Sequence, residues 1–233
     1  MTLEEAIAKI KPLDHNAMEI AQKRWDSIAK PLHSLGKLET LLIQIAGITG
    51  NAEVNLSRRG LIAMCADNGV VEEGVTQTGQ EVTAIVAENF LKYDTSVGVM
   101  CKQNHAEIFP VDMGMVTDTK VRTDHKIAYG TQNMTKGPAM TREQAVKGLE
   151  AGIDMVRELN DKGYRILATG EMGIGNTTTS SAVASVLLKQ PVEEMTGRGA
   201  GLTSEGLVRK INAIKKAIAL NEPDSEDADR KSV

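Results

Sequence analysis

The chain has 233 residues, 41% of them hydrophobic and 25% charged, with a formal net charge of −4 and a pI near 5.7. That length supports one substantial core and a small second unit, and the acidic balance excludes the basic footprint of a nucleic-acid binder. No window of eighteen uninterrupted apolar residues occurs and the opening "MTLEEAIAKIKPLD" is amphipathic and charged, so neither a membrane span nor a leader is expected, and the expected location is cytoplasmic.

Residues 1–50 carry helical patterns interrupted by "AKPLHSLGKLE", where Pro31 and Gly36 break the periodicity and Ser34 is placed to cap the next helix. A small helical subdomain is expected there. The segments 60–69, 106–114 and 164–173 are short apolar runs ending in Asp67-Asn68-Gly69, Asp112 with Gly114, and a glycine-rich turn, and they read as buried strands. Cys65 and Cys101 sit in such apolar surroundings without metal-binding spacing, so buried thiols of a reducing compartment are expected, with no metal and no cofactor.

Between the strands lie helical stretches. Residues 81–103 present Val82, Ile85, Val86, Phe90 and Leu91 as one apolar face, and residues 141–160 open on the capping box "TREQ" and present Ala145, Leu149, Ile153 and Val156. Strands alternating with helices predict an α/β fold, a mostly parallel sheet flanked by helices, with ligands at the carboxyl ends of the strands. The domain layout expected is a helical subdomain at 1–50, a nucleotide-binding α/β domain at 51–221, and a polar, disordered tail at 222–233.

The chemistry concentrates in "ATGEMGIGNTTTSSAV", residues 168–183. A strand, a glycine-rich turn and a helix opening near Asn176 would present amides and the positive end of a helix dipole to an anion. The P-loop pattern fails because Asn176 stands where lysine is required, and a dinucleotide fingerprint fails because Thr178 occupies the third glycine's place. A single-phosphate site survives, with the hydroxyls of Thr177, Thr178 and Thr179 as further donors; a tight turn needing positive φ is the competing reading. Glu171 would repel a phosphate, so its expected partners are the hydroxyls of an attached sugar. A second loop, "TGRGAGLTSEGLVRKI", repeats the design with Gly197, Gly199 and Gly201 ahead of a helix whose apolar face is Leu207, Ile211, Ile214 and Ile218. Lys210 flanks that face and is placed to meet a phosphate as a point charge. Two glycine cradles point to a phosphorylated sugar ligand.

Five ordered blocks, "KPLHSLGKLE", "ADNGVVEEGVTQTGQEVTA", "GTQNMTKGPAMT", "GEMGIGNTT" and "GRGAGL" with Lys210, together resemble the nicotinate-nucleotide:dimethylbenzimidazole phosphoribosyltransferase family, over about Leu13 to Asp224. The resemblance implies a Rossmann-like sheet with a small helical domain, a homodimer, and transfer of the 5-phosphoribosyl group from nicotinate mononucleotide to 5,6-dimethylbenzimidazole in cobalamin synthesis, giving α-ribazole 5′-phosphate and nicotinate. It places substrate binding at Glu171, Gly173, Ile174, Gly175, Asn176, Thr177, Gly199 and Lys210, and the aromatic acceptor near Thr76, Gln77, Gln80 and Ile85. "TQTGQ" departs from the serine and Tyr-Pro pair of many relatives, which leaves benzimidazole, purine and phenolic acceptors as alternatives. The family's glutamate base falls beyond Val233, so no catalytic residue is assigned within this chain. A truncated product, a catalytically impaired nucleotide-binding fragment, or dependence on a complementary subunit is the alternative expectation.

Overall fold

The computed structural model describes residues 1–226, and the chain divides into two compact units, Met1–Ser57 and Arg58–Val233. The first is helical: α1 (Leu3–Ala8), α2 (His15–Ser27) and α3 (Lys37–Thr49). Asp14 caps α2 by accepting from the Ala17 amide at 3.0 Å, and α2 packs on α3 through Ala17, Ala21 and Ala46, all buried. Gly47 permits this crossing, since a Cβ there would lie 2.7 Å from Met18 Cγ. Ser34 does not cap α3. Gly36 (φ +55) occupies the cap position without a side-chain bond, and the buried Glu39 reaches back instead to accept from the Leu35 amide at 3.1 Å and pair with Lys30 at 2.8 Å. A serine two residues too early cannot reach the first-turn amides that a capping oxygen must satisfy.

The second unit runs β1 (Arg59–Ala66), a 3-10 turn (Gly69–Glu73), α4 (Glu81–Lys92), α5 (Ser96–Gln103), β2 (Ala106–Gly114), α6 (Arg142–Asp161), β3 (Ile166–Met172), α7 (Asn176–Leu188), α8 (Val192–Met195) and α9 (Ser204–Asn221). Its sheet is parallel in the order β2-β1-β3, so the expected α/β arrangement is the one observed. Strand β1 is buried on both faces: Ile62 and Met64 join Val111, Phe109, Met155, Leu159 and Tyr164 on the α6 side, while Leu61, Ala63 and Cys65 join Ala84, Ala87, Phe90 and Cys101 on the α4 and α5 side. This alternation is what a central parallel strand requires. A third cluster unites Val70, Val75 and Met134 with Ala182, Val192, Ala213, Ile214 and Ala217 of α7, α8 and α9.

Three expectations change. The helix expected over 81–103 is two helices, because Tyr93 turns left-handed (φ +59) and Thr95 starts α5 by accepting from the Gly98 amide at 3.0 Å. Gly98 is what lets the two helices meet, its Cβ position lying 2.7 Å from Tyr93 Cα. In α4 the buried face is Thr83, Ala84, Ala87 and Phe90, leaving Ile85 and Leu91 exposed. In α6 the capping box forms as expected, but Ala151, Met155 and Leu159 are buried while Leu149 and Val156 face outward. Both helices carry apolar residues on more than one side, and packing on the sheet decides which of them are buried.

Of the tail expected at 222–233, residues 227–233 lie outside the described residues; Glu226 pairs with Lys189 at 2.8 Å. Cys65 and Cys101 are free and buried, and burial pushes the Cys65 thiol up to about 12. Among the described residues, no helix is long and apolar enough to cross a membrane.

Candidate functional site

The strand order places β1 centrally, with the chain leaving first to β2 and then returning past it to β3. Ligands of open α/β sheets bind outside the carboxyl ends of strands where the order reverses in this way. A cavity of about 210 Å³ opens there, bounded by the loop after β1 (Val75, Thr76, Gln77, Thr78), the turn after β3 (Met172 to Thr177), the second glycine loop (Arg198 to Leu202) and Lys210 of α9.

The turn after β3 is built from glycines that nothing larger replaces. A Cβ on Gly173 would lie 2.2 Å from the Ala66 carbonyl oxygen, so this turn crosses directly over the end of β1. Gly175 sits at φ +94 as the cap residue of α7, a conformation that costs an L-residue about 1–2 kcal/mol. The N-terminus of the thirteen-residue α7 therefore borders the cavity, with the partial positive charge of its first turn.

Lys210 supplies the full charge. It is 1% exposed, and its Nζ donates to Thr177 Oγ1 at 2.7 Å and to the Gly197 carbonyl at 3.2 Å. It lies in the buried stripe Gly206, Lys210, Ala213, Ala217 of α9, so the helix carries it inward. Burial lowers its pKa from the ordinary lysine value, because a sequestered ammonium ion gives up solvation. Gly199 (φ +57) makes room beside it: a Cβ would stand 2.9 Å from Thr177 Oγ1 and 3.5 Å from Lys210 Nζ. Arg198 is a second cation of the lining, held by the Leu202 carbonyl at 2.8 Å and Ser204 Oγ at 3.2 Å. Among the described residues that line the cavity there is no carboxylate. Two cations, a helix N-terminus and several hydroxyls give it a lining complementary to an anion.

Glu171 lies at the edge of this cavity without lining it. The residue is exposed, but desolvation of its carboxyl raises the pKa, opposed by a hydrogen bond from Asn176 Nδ2 to Oε2. Gly173, Ile174, Gly175, Asn176, Thr177, Gly199 and Lys210 are brought together as the sequence suggested, with Thr76 and Gln77 facing them. Gln77 Nε2 donates to the Gly201 carbonyl, joining the loop after β1 to the second glycine loop. Gln80 and Ile85 stand apart. Gln80 spends its side-chain amide on the Asn68 carbonyl at 3.1 Å, and Ile85 is 57% exposed on α4.

The polar ends of β1 and β2 do not reach the cavity. Asp67 accepts from the Val116 amide at 2.8 Å and Asp112 from the Met115 amide at 2.7 Å, with Lys126 3.2 Å from Asp112 Oδ2, and both aspartates are fully buried. They anchor loops. Sequence reasoning assigned no role to Arg198, Met172 or Val75; the arginine of "GRGAGL" was the one legible signal among them, since a cation between glycines of an anion cradle has an evident use.

A family model described as phosphoribosyltransferase matches residues 10–233. The chain is 51% identical over 229 residues to the nicotinate-nucleotide–dimethylbenzimidazole phosphoribosyltransferase of Ruminiclostridium cellulolyticum, covering 97% of this chain and 65% of the relative. It is 47% identical over 227 residues to the protein of the same name from Clostridium tetani, covering 97% and 63%. The crystal structure of the Thermus thermophilus enzyme of that name superimposes with a TM-score of 0.77 at 35% identity, over 89% of this chain and 62% of that one. The chain thus spans just under two thirds of the length of these relatives.

Proposed function

From a chain that belongs to the nicotinate-nucleotide–dimethylbenzimidazole phosphoribosyltransferase family, we propose a protein that binds nicotinate mononucleotide and takes part in transferring its 5-phosphoribosyl group to 5,6-dimethylbenzimidazole or a related aromatic base. The observation that carries this reading is the buried Lys210 joined to Thr177 beneath two glycine turns and a helix N-terminus, a cradle for one phosphate.

In this reading the phosphate meets Lys210, Thr177 and the turn Gly173 to Asn176, with Gly199 leaving space for it. Glu171, at the cavity's edge, accepts from ribose hydroxyls. Thr76 and Gln77 face the acceptor base, while Gln80 and Ile85 lie outside the cavity. The departing nicotinate nitrogen is a cationic pyridinium in the nucleotide, so its departure requires no strong acid. A benzimidazole acceptor attacks through its unprotonated ring nitrogen and must shed the proton of its N–H, for which a carboxylate base would contribute about a hundredfold to ten-thousandfold. Positioning by the phosphate and ribose clamps supplies the rest.

A second reading, a nucleotide-binding subunit that does not turn over alone, is favoured by the absence of any carboxylate among the described cavity-lining residues. The proposal also includes a homodimer or a complementary subunit and a cytoplasmic location, the first supported by exposed apolar side chains such as Ile10, Leu32 and Ile48. Incubation with nicotinate mononucleotide and dimethylbenzimidazole, with chromatography for α-ribazole 5′-phosphate and nicotinate, decides between the readings. Product from the purified chain supports transfer; binding without product supports the second reading; neither binding nor product removes both.

A further inference from the structure

The turn after β3 is gripped from below by side chains that line no part of the cavity. Ile174 donates its main-chain amide to Thr83 Oγ1 at 3.0 Å and accepts at its carbonyl from Asn68 Nδ2 at 3.1 Å. Both polar groups of one peptide residue are thus held by two different elements, the first turn of α4 and the residue that caps the 3-10 turn after β1. Thr83 is fully buried, and its hydroxyl favours the ionised form of Asp67 beneath it. Asn68 is held in turn through its carbonyl, which accepts from Gln80 Nε2 at 3.1 Å.

The glycines of the turn are shaped around this grip. A Cβ on Gly173 would come 3.0 Å from Asn68 Nδ2, and one on Gly175 would come 3.2 Å from Asn68 Cβ and 3.0 Å from Val71 Cγ2. Asn68 therefore occupies the volume that two missing side chains leave, so the turn's bareness serves the protein's own packing as well as any ligand.

We propose that Thr83 and Asn68 are positioning residues for the phosphoribosyl donor: holding both main-chain polar groups of Ile174, they fix the turn Gly173 to Asn176 and the start of α7 against the cavity before a ligand arrives. The inference rests on the proposed nucleotide reading for its functional half, while the fixing of the turn stands independently. A turn already ordered loses less conformational freedom on binding, and the benefit appears as affinity. A hydroxyl at position 83 is essential because it is the acceptor for the part-buried Ile174 amide. Valine there has the same shape and leaves the amide unpaired, which costs about 1–3 kcal/mol.

The test uses the full chain with Thr83→Val, Thr83→Ser and Asn68→Ala, and with Leu159→Val as a core variant on the α6 side of the sheet that touches none of these groups. Two quantities are measured: hydrogen exchange of the Ile174 to Asn176 amides in ligand-free protein, and calorimetric affinity for nicotinate mononucleotide. Thr83→Val and Asn68→Ala are expected to speed that exchange and weaken binding about tenfold, with Thr83→Ser close to the parent and Leu159→Val unaffected in both at a comparable loss of Tm. Unchanged exchange in Thr83→Val and Asn68→Ala, or equal weakening by Leu159→Val, overturns the proposal. Should the parent protein fail to bind the nucleotide, the donor reading fails while exchange still judges the grip: faster exchange in Thr83→Val with recovery in Thr83→Ser upholds it, and unchanged exchange rejects it. Should Thr83→Val not fold, Asn68→Ala answers the same question from the other end of the residue.

Discussion

Lys210 is a charged side chain where a purely structural core would place a hydrophobe. Its ammonium has a hydroxyl and a carbonyl as partners but no carboxylate among them, so it sits in the fold as an unneutralised cation. Such a group costs stability and is retained where an anion arrives to neutralise it. Lys210→Met should weaken nicotinate mononucleotide about tenfold to a hundredfold by calorimetry, the range of a charge-assisted hydrogen bond, without lowering Tm. The sign of the pH effect comes from burial. Because the folded lysine releases its proton below the ordinary value of 10.5, affinity falls as pH rises through that lowered value. Stability rises across the same window, since there the unfolded chain binds more protons. Lys210→Met removes both slopes. Asp67 behaves oppositely: burial raises its pKa above 3.8, against the Thr83 hydroxyl and the Val116 amide that lower it, with Asp112 adding to the rise. Its contribution to stability is complete below 3.8 and is lost as pH rises through the raised value. Melting curves of Asp67→Asn should therefore gain on the parent as pH rises from 3.8 through the raised value; a constant gap would contradict this.

At the scale of elements, the sequence was most legible where a helix start is local chemistry. Thr141 and Gln144 form the reciprocal cap that "TREQ" announces, and α7 begins at Asn176 after the glycine turn. Thr141→Ala should cost about 0.5–2 kcal/mol, read as a lowered Tm. Gly173→Ala tests a different cause, because its obstacle is the Ala66 carbonyl rather than φ. It should displace the turn, so that nucleotide affinity is lost even where Tm falls little. What escaped the sequence was set by tertiary choice. The left-handed Tyr93 divides an apparently continuous helix, and in α4 and α6 the sheet buries Thr83, Ala84, Ala87 and Phe90 and Ala151, Met155 and Leu159, leaving other apolar residues of each helix outside. The family resemblance placed Gln80 near the acceptor beside Thr76 and Gln77. Spacing does not reveal that its amide is already committed to Asn68.

At the scale of the molecule, the alternation of strands and helices was enough to expect a parallel sheet, and β1 shows why: its two faces are apolar in alternation, each under a different set of helices. The cradle was legible as two glycine loops far apart from β1 in sequence. That Gln77 would bridge to Gly201, and that Asn68 would fill the bare turn, depends on contacts spanning more than a hundred residues, which no local pattern encodes. The central claim is that this assembly receives the 5′-phosphate of a ribonucleotide. Isothermal titration of the folded chain with nicotinate mononucleotide, beside nicotinate riboside, tests it most directly. Saturable binding of the phosphorylated ligand, lost with the riboside and reduced in Lys210→Met, is the result expected. Equal binding of both ligands, or no binding of either by protein with a cooperative melt, would contradict it.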